Sequence, residues 1–129
     1  MLLALIVLGG TAGRTLRLNW YARRGGHVVL AGTYDDVAPL ARRRGTLAAT
    51  FYLAPDRGAG AEIARHHPFA EIATIAPKVI GQQLARLGAP LARLLAATTP
   101  SDLSNVAIGE AGLALAGPGE IIVRLEQHA

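Results

Sequence analysis

The stretch Met1–Leu18, MLLALIVLGGTAGRTLRL, decides how the chain is read. Apolar residues from Leu2 to Leu8 run without alternation into Gly9, Gly10, Thr11, Ala12 and Gly13, with Arg14 behind them. A continuous apolar run suits a strand buried on both faces, the habit of parallel sheets covered by helices. Glycines at its end mark a tight strand-to-helix exit. In a doubly wound sheet the first such exit is where a dinucleotide phosphate sits. Glycine lets the backbone approach it, and free N–H groups at the helix start attract the anion. The G-x-G-x-x-G fingerprint is incomplete here, so two readings stay open: a phosphate-binding turn, or a turn that only packs helix on strand.

Outward from this turn the apolar pattern alternates between two periods. Ala12–Arg24 has helical spacing and is stopped by Gly25-Gly26. HVVLAG (His27–Gly32) reads as a second strand, after which Asp35 or Asp36 caps a brief helix through Leu40 to Arg44. LAATFYLA (Leu47–Ala54) reads as a third strand. Glu62–Arg65 is helical, and Pro77 starts or kinks the next helical piece. Ile80, Leu84, Leu87, Leu91 and Leu94 repeat at helical spacing, and Pro90 ends or bends that helix. Ala97–Asp102 reads as a turn, Val106–Ala116 as a helix and Ile121–Leu125 as a last strand. The alternation predicts one Rossmann-like α/β domain over residues 1–129, a parallel sheet with flanking helices.

Composition narrows the chemistry. With 51% hydrophobic but only 5% aromatic residues, the core has to be built from Leu, Ala, Ile and Val. No cysteine is present, which excludes disulfides, a thiol nucleophile and thiolate metal sites. The apolar opening is shorter than the ~20 residues of a membrane span and has no basic residue before it, so a cytoplasmic protein is expected. The net charge is +4, and 12 of the 13 basic residues are Arg. No helix-turn-helix or stacking-aromatic pattern accompanies them, which favours a small anionic ligand over nucleic acid.

Individual residues sort by the same weighing. Serine nucleophiles lack support, since Ser101 and Ser104 are the only serines and no G-x-S-x-G elbow surrounds them. His66-His67 has no third partner at metal-ligand spacing, so no metal site is expected. Arg42-Arg43-Arg44 reads first as a solvated run, with a grip on a 2′-phosphate as its functional alternative. The Leu84–Leu94 face reads as core or as the seam of a homodimer.

Four words, in order, resemble the precorrin-6A reductases, NADPH-dependent enzymes of cobalamin biosynthesis. They are LGGTAGRTL near the start, LAGT (Leu30–Thr33), HPFA (His67–Ala70) and LGAPLARL (Leu87–Leu94). The resemblance implies NADP at Gly9, Gly10, Thr11, Gly13, Arg14, Gly32 and Thr33; Asp35, or its neighbour Asp36, is the candidate for the ribose-binding acid by its place after the second strand. The resemblance also sets His67 by the reacting atoms and implies hydride transfer to an acidic tetrapyrrole. This chain has no acid between Ala12 and Gly13 and no Arg between Gly32 and Thr33. An acid behind a strand favours NAD, so NAD stays open beside NADP. The alternative is a non-catalytic Rossmann-like module that binds or assembles. A second stretch, RLNWYARRGGHVVLAGTYDD, resembles the cofactor domain of medium-chain dehydrogenases and enoyl reductases.

Overall fold

The computed structural model describes residues 20, 24–43, 50–68, 70–115 and 119–126. The expected strand Leu2–Leu8 and the turn Gly9–Gly13 lie outside the described residues. Five strands and four helices occupy the rest: β1 (Val28–Gly32), α1 (Tyr34–Arg43), β2 (Thr50–Ala54), α2 (Arg57–His66), β3 (Glu71–Thr74), α3 (Ile80–Arg86), β4 (Leu94–Thr98), α4 (Asp102–Ala114) and β5 (Ile121–Val123). Short 3₁₀ turns at Pro77–Val79 and Ala89–Leu91 flank α3.

All strand pairs are parallel, in the order β3-β2-β1-β4-β5. β1 and β4, in the interior of the sheet, are buried at every position. The edge strands β3 and β5 are only partly covered. Period-two alternation sends each strand's side chains to two separate cores. Val29, Ala31, Phe51, Leu53, Leu95 and Ala97 pack with Leu84, Leu87 and Ile108 on the α3–α4 side. Val28, Leu30, Tyr52, Leu94 and Ala96 meet Val37 and Ile63 on the α1–α2 side. Each fully buried Leu or Ile contributes about 2 kcal/mol of apolar burial. Helix α4 lies close on the sheet: a Cβ at Gly112 would come within 2.4 Å of Leu95 Cδ2.

Two expected assignments change. The helix expected to end or bend at Pro90 already ends at Arg86, because Gly88 takes a left-handed φ of 70° and Pro90 stands in the 3₁₀ turn that follows. Leu84, Leu87 and Leu94 still serve as core, while Leu91 is 48% exposed. The segment expected to begin a turn at Ala97 continues β4 to Thr98, the turn following it. β3 had no strand expectation at all.

His27, just ahead of β1, is fully buried, and its Nε2 lies 2.8 Å from the Leu87 carbonyl oxygen. Burial pushes its imidazole below the ordinary value, so the ring is neutral at pH 7. No helix among the described residues is long and apolar enough to cross a membrane.

Candidate ligand crevice at the carboxyl edge of the sheet

The direction of winding reverses between β1 and β4: from β1 the chain winds to β2 and β3, then returns to place β4, parallel to β1, on its other side. In open α/β sheets, ligands bind outside the carboxyl ends of the strands at this switch point. Two loops border it here, Gly32-Thr33 after β1 and Thr99–Ser101 after β4.

Gly32 has a φ of 157°, and a Cβ on it would stand 2.6 Å from Thr98 Oγ1 and 3.1 Å from Val37 Cγ1. Only glycine fits this close approach of β1, α1 and β4. The Thr98 hydroxyl beside it donates to the Ala31 carbonyl at 3.1 Å. Counted from Gly32, the dinucleotide fingerprint keeps its first glycine, while Tyr34 and Val37 stand at the second and third. The Tyr34 ring lies flat on His66 of α2, centroids 3.8 Å apart.

Helix α1 begins after Thr33 with backbone bonds and one side-chain bond. Thr33 accepts from the amides of Asp36 and Val37 through its carbonyl, and its hydroxyl donates to Asp36 Oδ2 at 2.9 Å. Asp36 Oδ1 accepts from Arg124 Nη1 at 2.8 Å, in a pair whose side chains are 33% and 28% exposed. Arg124 stands just beyond β5, and its Nη2 donates to the Thr99 carbonyl at 3.1 Å. One guanidinium thus ties the β1 loop to the β4 loop across the switch point. Its Nε–H is buried with no partner among the described residues.

The β4 loop is organised by Asn105, a fully buried side chain of α4. Its Oδ1 accepts from the Thr99 amide at 2.8 Å and from the Thr99 hydroxyl at 2.7 Å. Its Nδ2 donates to the carbonyls of Thr99 and Arg124, at 3.0 and 2.9 Å. An amide donor on one side and carbonyls on the other fix which way the side chain points.

Along the same edge, Asp56 follows β2 and caps α2, its Oδ1 accepting from the Ala59 amide at 2.8 Å. It trails Gly32 by about 24 residues, near the ~20 that separate the fingerprint from its ribose-binding acid. Sequence reading named Asp35 for that role. Asp35 is an exposed residue in the first turn of α1, and the acid behind β2 is Asp56.

Of the other expected site residues, Gly9, Gly10, Thr11, Gly13 and Arg14 lie outside the described residues, and Gly32 and Thr33 stand at the switch point. His67 approaches them through Tyr34, the residue after Thr33, with the two ring centroids 6.2 Å apart. It ends α2 on the helical layer, its amide donating to the Ile63 carbonyl and its ring 5.8 Å from that of Tyr52. Burial, with Tyr34 nearby, pushes the Tyr52 hydroxyl above its ordinary value and keeps it protonated. Arg42 belongs to the last turn of α1, the end away from the crevice, so it cannot meet a 2′-phosphate there. No group of three or more His, Asp or Glu among the described residues is arranged to hold a metal ion.

No protein-family model matches the chain, and no curated protein matches it significantly. Solved structures do resemble it. The RCK domain of GsuK aligns over 78% of this chain with a TM-score of 0.55 and 15% identity. A structure of the GsuK channel bound to NAD aligns over the same share, with the same score and identity. The chain spans only 26% and 22% of those two proteins' lengths. The likeness and the strand order together establish a Rossmann-like fold.

Proposed function

We propose that this chain is a Rossmann-like module that binds a nicotinamide dinucleotide across the β1–β4 switch point, NAD in preference to NADP. The observation that carries the reading is the glycine-only approach at Gly32 on the central strand, with Asp56 behind the neighbouring strand β2. Gly32, Thr33, Asp56 and the Arg124 cation suit such a ligand: a close backbone, a ribose acceptor and a phosphate partner. Asp36 does not, since it holds a carboxylate where the pyrophosphate would come. A solved Rossmann-like neighbour, the GsuK channel, is bound to NAD.

NAD is preferred because Asp56 accepts ribose hydroxyls and repels a 2′-phosphate. Hydride transfer to a tetrapyrrole, the finer expectation, rests on four words, of which LGGTAGRTL lies outside the described residues and LAGT lies at the crevice. His67, which the resemblance sets by the reacting atoms, has its ring 5.8 Å from that of Tyr52 and 6.2 Å from that of Tyr34. The reading is accordingly kept to dinucleotide binding, with no catalytic step assigned.

Isothermal titration with NAD and NADP tests the reading. NAD is expected to bind with a submillimolar Kd and NADP about tenfold more weakly, a difference of ~1.4 kcal/mol. Asp56→Asn keeps the helix cap but removes the charge, and should bring the two ligands level. No saturable heat with NAD, or tighter binding of NADP, overturns it.

A further inference from the structure

The structure points to a charge gate in this crevice: we propose that Asp36 holds Arg124 until a dinucleotide pyrophosphate takes the guanidinium over. The inference rests on the dinucleotide reading above and adds how the site is kept closed. Asp36 is seated as a bound anion would be, in the first turn of α1, accepting from the Thr33 hydroxyl and from Arg124. Helix N-termini attract negative charge, and here the chain supplies that charge itself. The same guanidinium reaches the Thr99 carbonyl, so it lies across the opening rather than beside it.

The closed arrangement is cheap to leave. Arg124 donates from Nη1 to Asp36 and from Nη2 to the Thr99 carbonyl, has the exposed Glu126 carboxylate 3.8 Å from Nη2, and keeps a buried Nε–H unsatisfied. A buried donor without a partner costs free energy that rearrangement recovers. The Asp36 pair is about a third exposed, which lets solvent screen it. A pyrophosphate offers more acceptor oxygens to a guanidinium fork than one carboxylate does. Exchange exposes Asp36 to water and gives Arg124 a doubly charged partner.

A purely structural ion pair would change stability and leave affinity alone. The gate makes a different demand, tested by titrating NAD and adenosine into the wild type, Asp36→Asn and Arg124→Gln. Circular dichroism confirms each fold; Asp36→Ser, which keeps a hydroxyl near Thr33, repeats the test should Asn loosen α1. Asp36→Asn is expected to bind NAD about tenfold more tightly, and Arg124→Gln about tenfold more weakly. Adenosine, which has no phosphate, should bind all three alike. If the wild type binds NAD and Asp36→Asn binds it no more tightly, the gate is overturned and the dinucleotide reading stands. Equal tightening of adenosine also overturns the exchange, because Arg124 would then be only a strap. If neither wild type nor Asp36→Asn binds NAD, both fall together.

Discussion

The loops after β1 and β4 sit side by side on the same edge of the sheet, yet they solve the exit from strand to helix differently. After β4, the polar groups are satisfied within the β4–β5 edge by one buried amide, Asn105, bonded to both Thr99 and Arg124. After β1, the chain uses a bare glycine and then leaves its helix start to be completed by Arg124, 88 residues away from Asp36. A self-satisfied loop has nothing left to offer a ligand. A loop completed from a distance keeps a replaceable partner, which is the property a binding site needs.

That contrast predicts two different responses to damage. Asn105→Ala is expected to be the larger: it strips the Thr99 amide and the Arg124 carbonyl of their partners inside the fold. The loss should be about 3 kcal/mol in urea unfolding. A loss within 0.5 kcal/mol would mean that the β4 loop is not held by this amide.

Gly32→Ala comes next, at about 2 kcal/mol, since its Cβ would press on Thr98 Oγ1 at 2.6 Å and the hydroxyl can yield only by giving up the Ala31 carbonyl. Its effect on ligand binding should exceed its effect on stability, because the displaced atoms border the crevice. The pairing Gly32→Ala with Thr98→Ala sharpens the comparison: relief of the clash should restore part of the lost stability. No recovery would place the strain in the backbone alone.

Much of the β1 side was legible in the sequence. VVLAG is a dense β-branched and apolar run closed by glycine, and Asp35-Asp36 mark a helix start, so strand, turn and helix followed from local chemistry, although both acids stand inside the first turn of α1 and not at its cap. Thr33 and Asp36 lie three residues apart, the spacing at which their side chains bond in the structure, a signal sequence reading passed over. The opposite side was hidden for physical reasons. β4 is LLAAT, in which Ala and Leu favour helix as readily as strand, and its leading leucine fell in step with the helical repeat before it. β3 has only EIAT to announce it, four residues with a single β-branched apolar side chain. Asn105 and Arg124 have no local signature, since their roles arise only when β4, α4 and β5 are assembled.

The glycine turn that opened the question, Gly9–Gly13, lies outside the described residues, and among the described strands the switch point is held by another turn. That position belongs to Gly32-Thr33, at the end of the strand first read as second in line. Identifying which strand is central mattered more than recognising a glycine-rich word, because the topology decides where a ligand can lie.

The central claim, that a dinucleotide enters between the β1 and β4 loops, is tested most directly by following backbone amide resonances while NAD is added. Saturable shifts are expected at Gly32, Thr33, Asp36, Asp56 and Thr99, with the amides of Ile63 and His67 at the end of α2 unmoved. Shifts that gather at His67 and leave Gly32 and Thr99 still, or no saturable shifts at all, would contradict it.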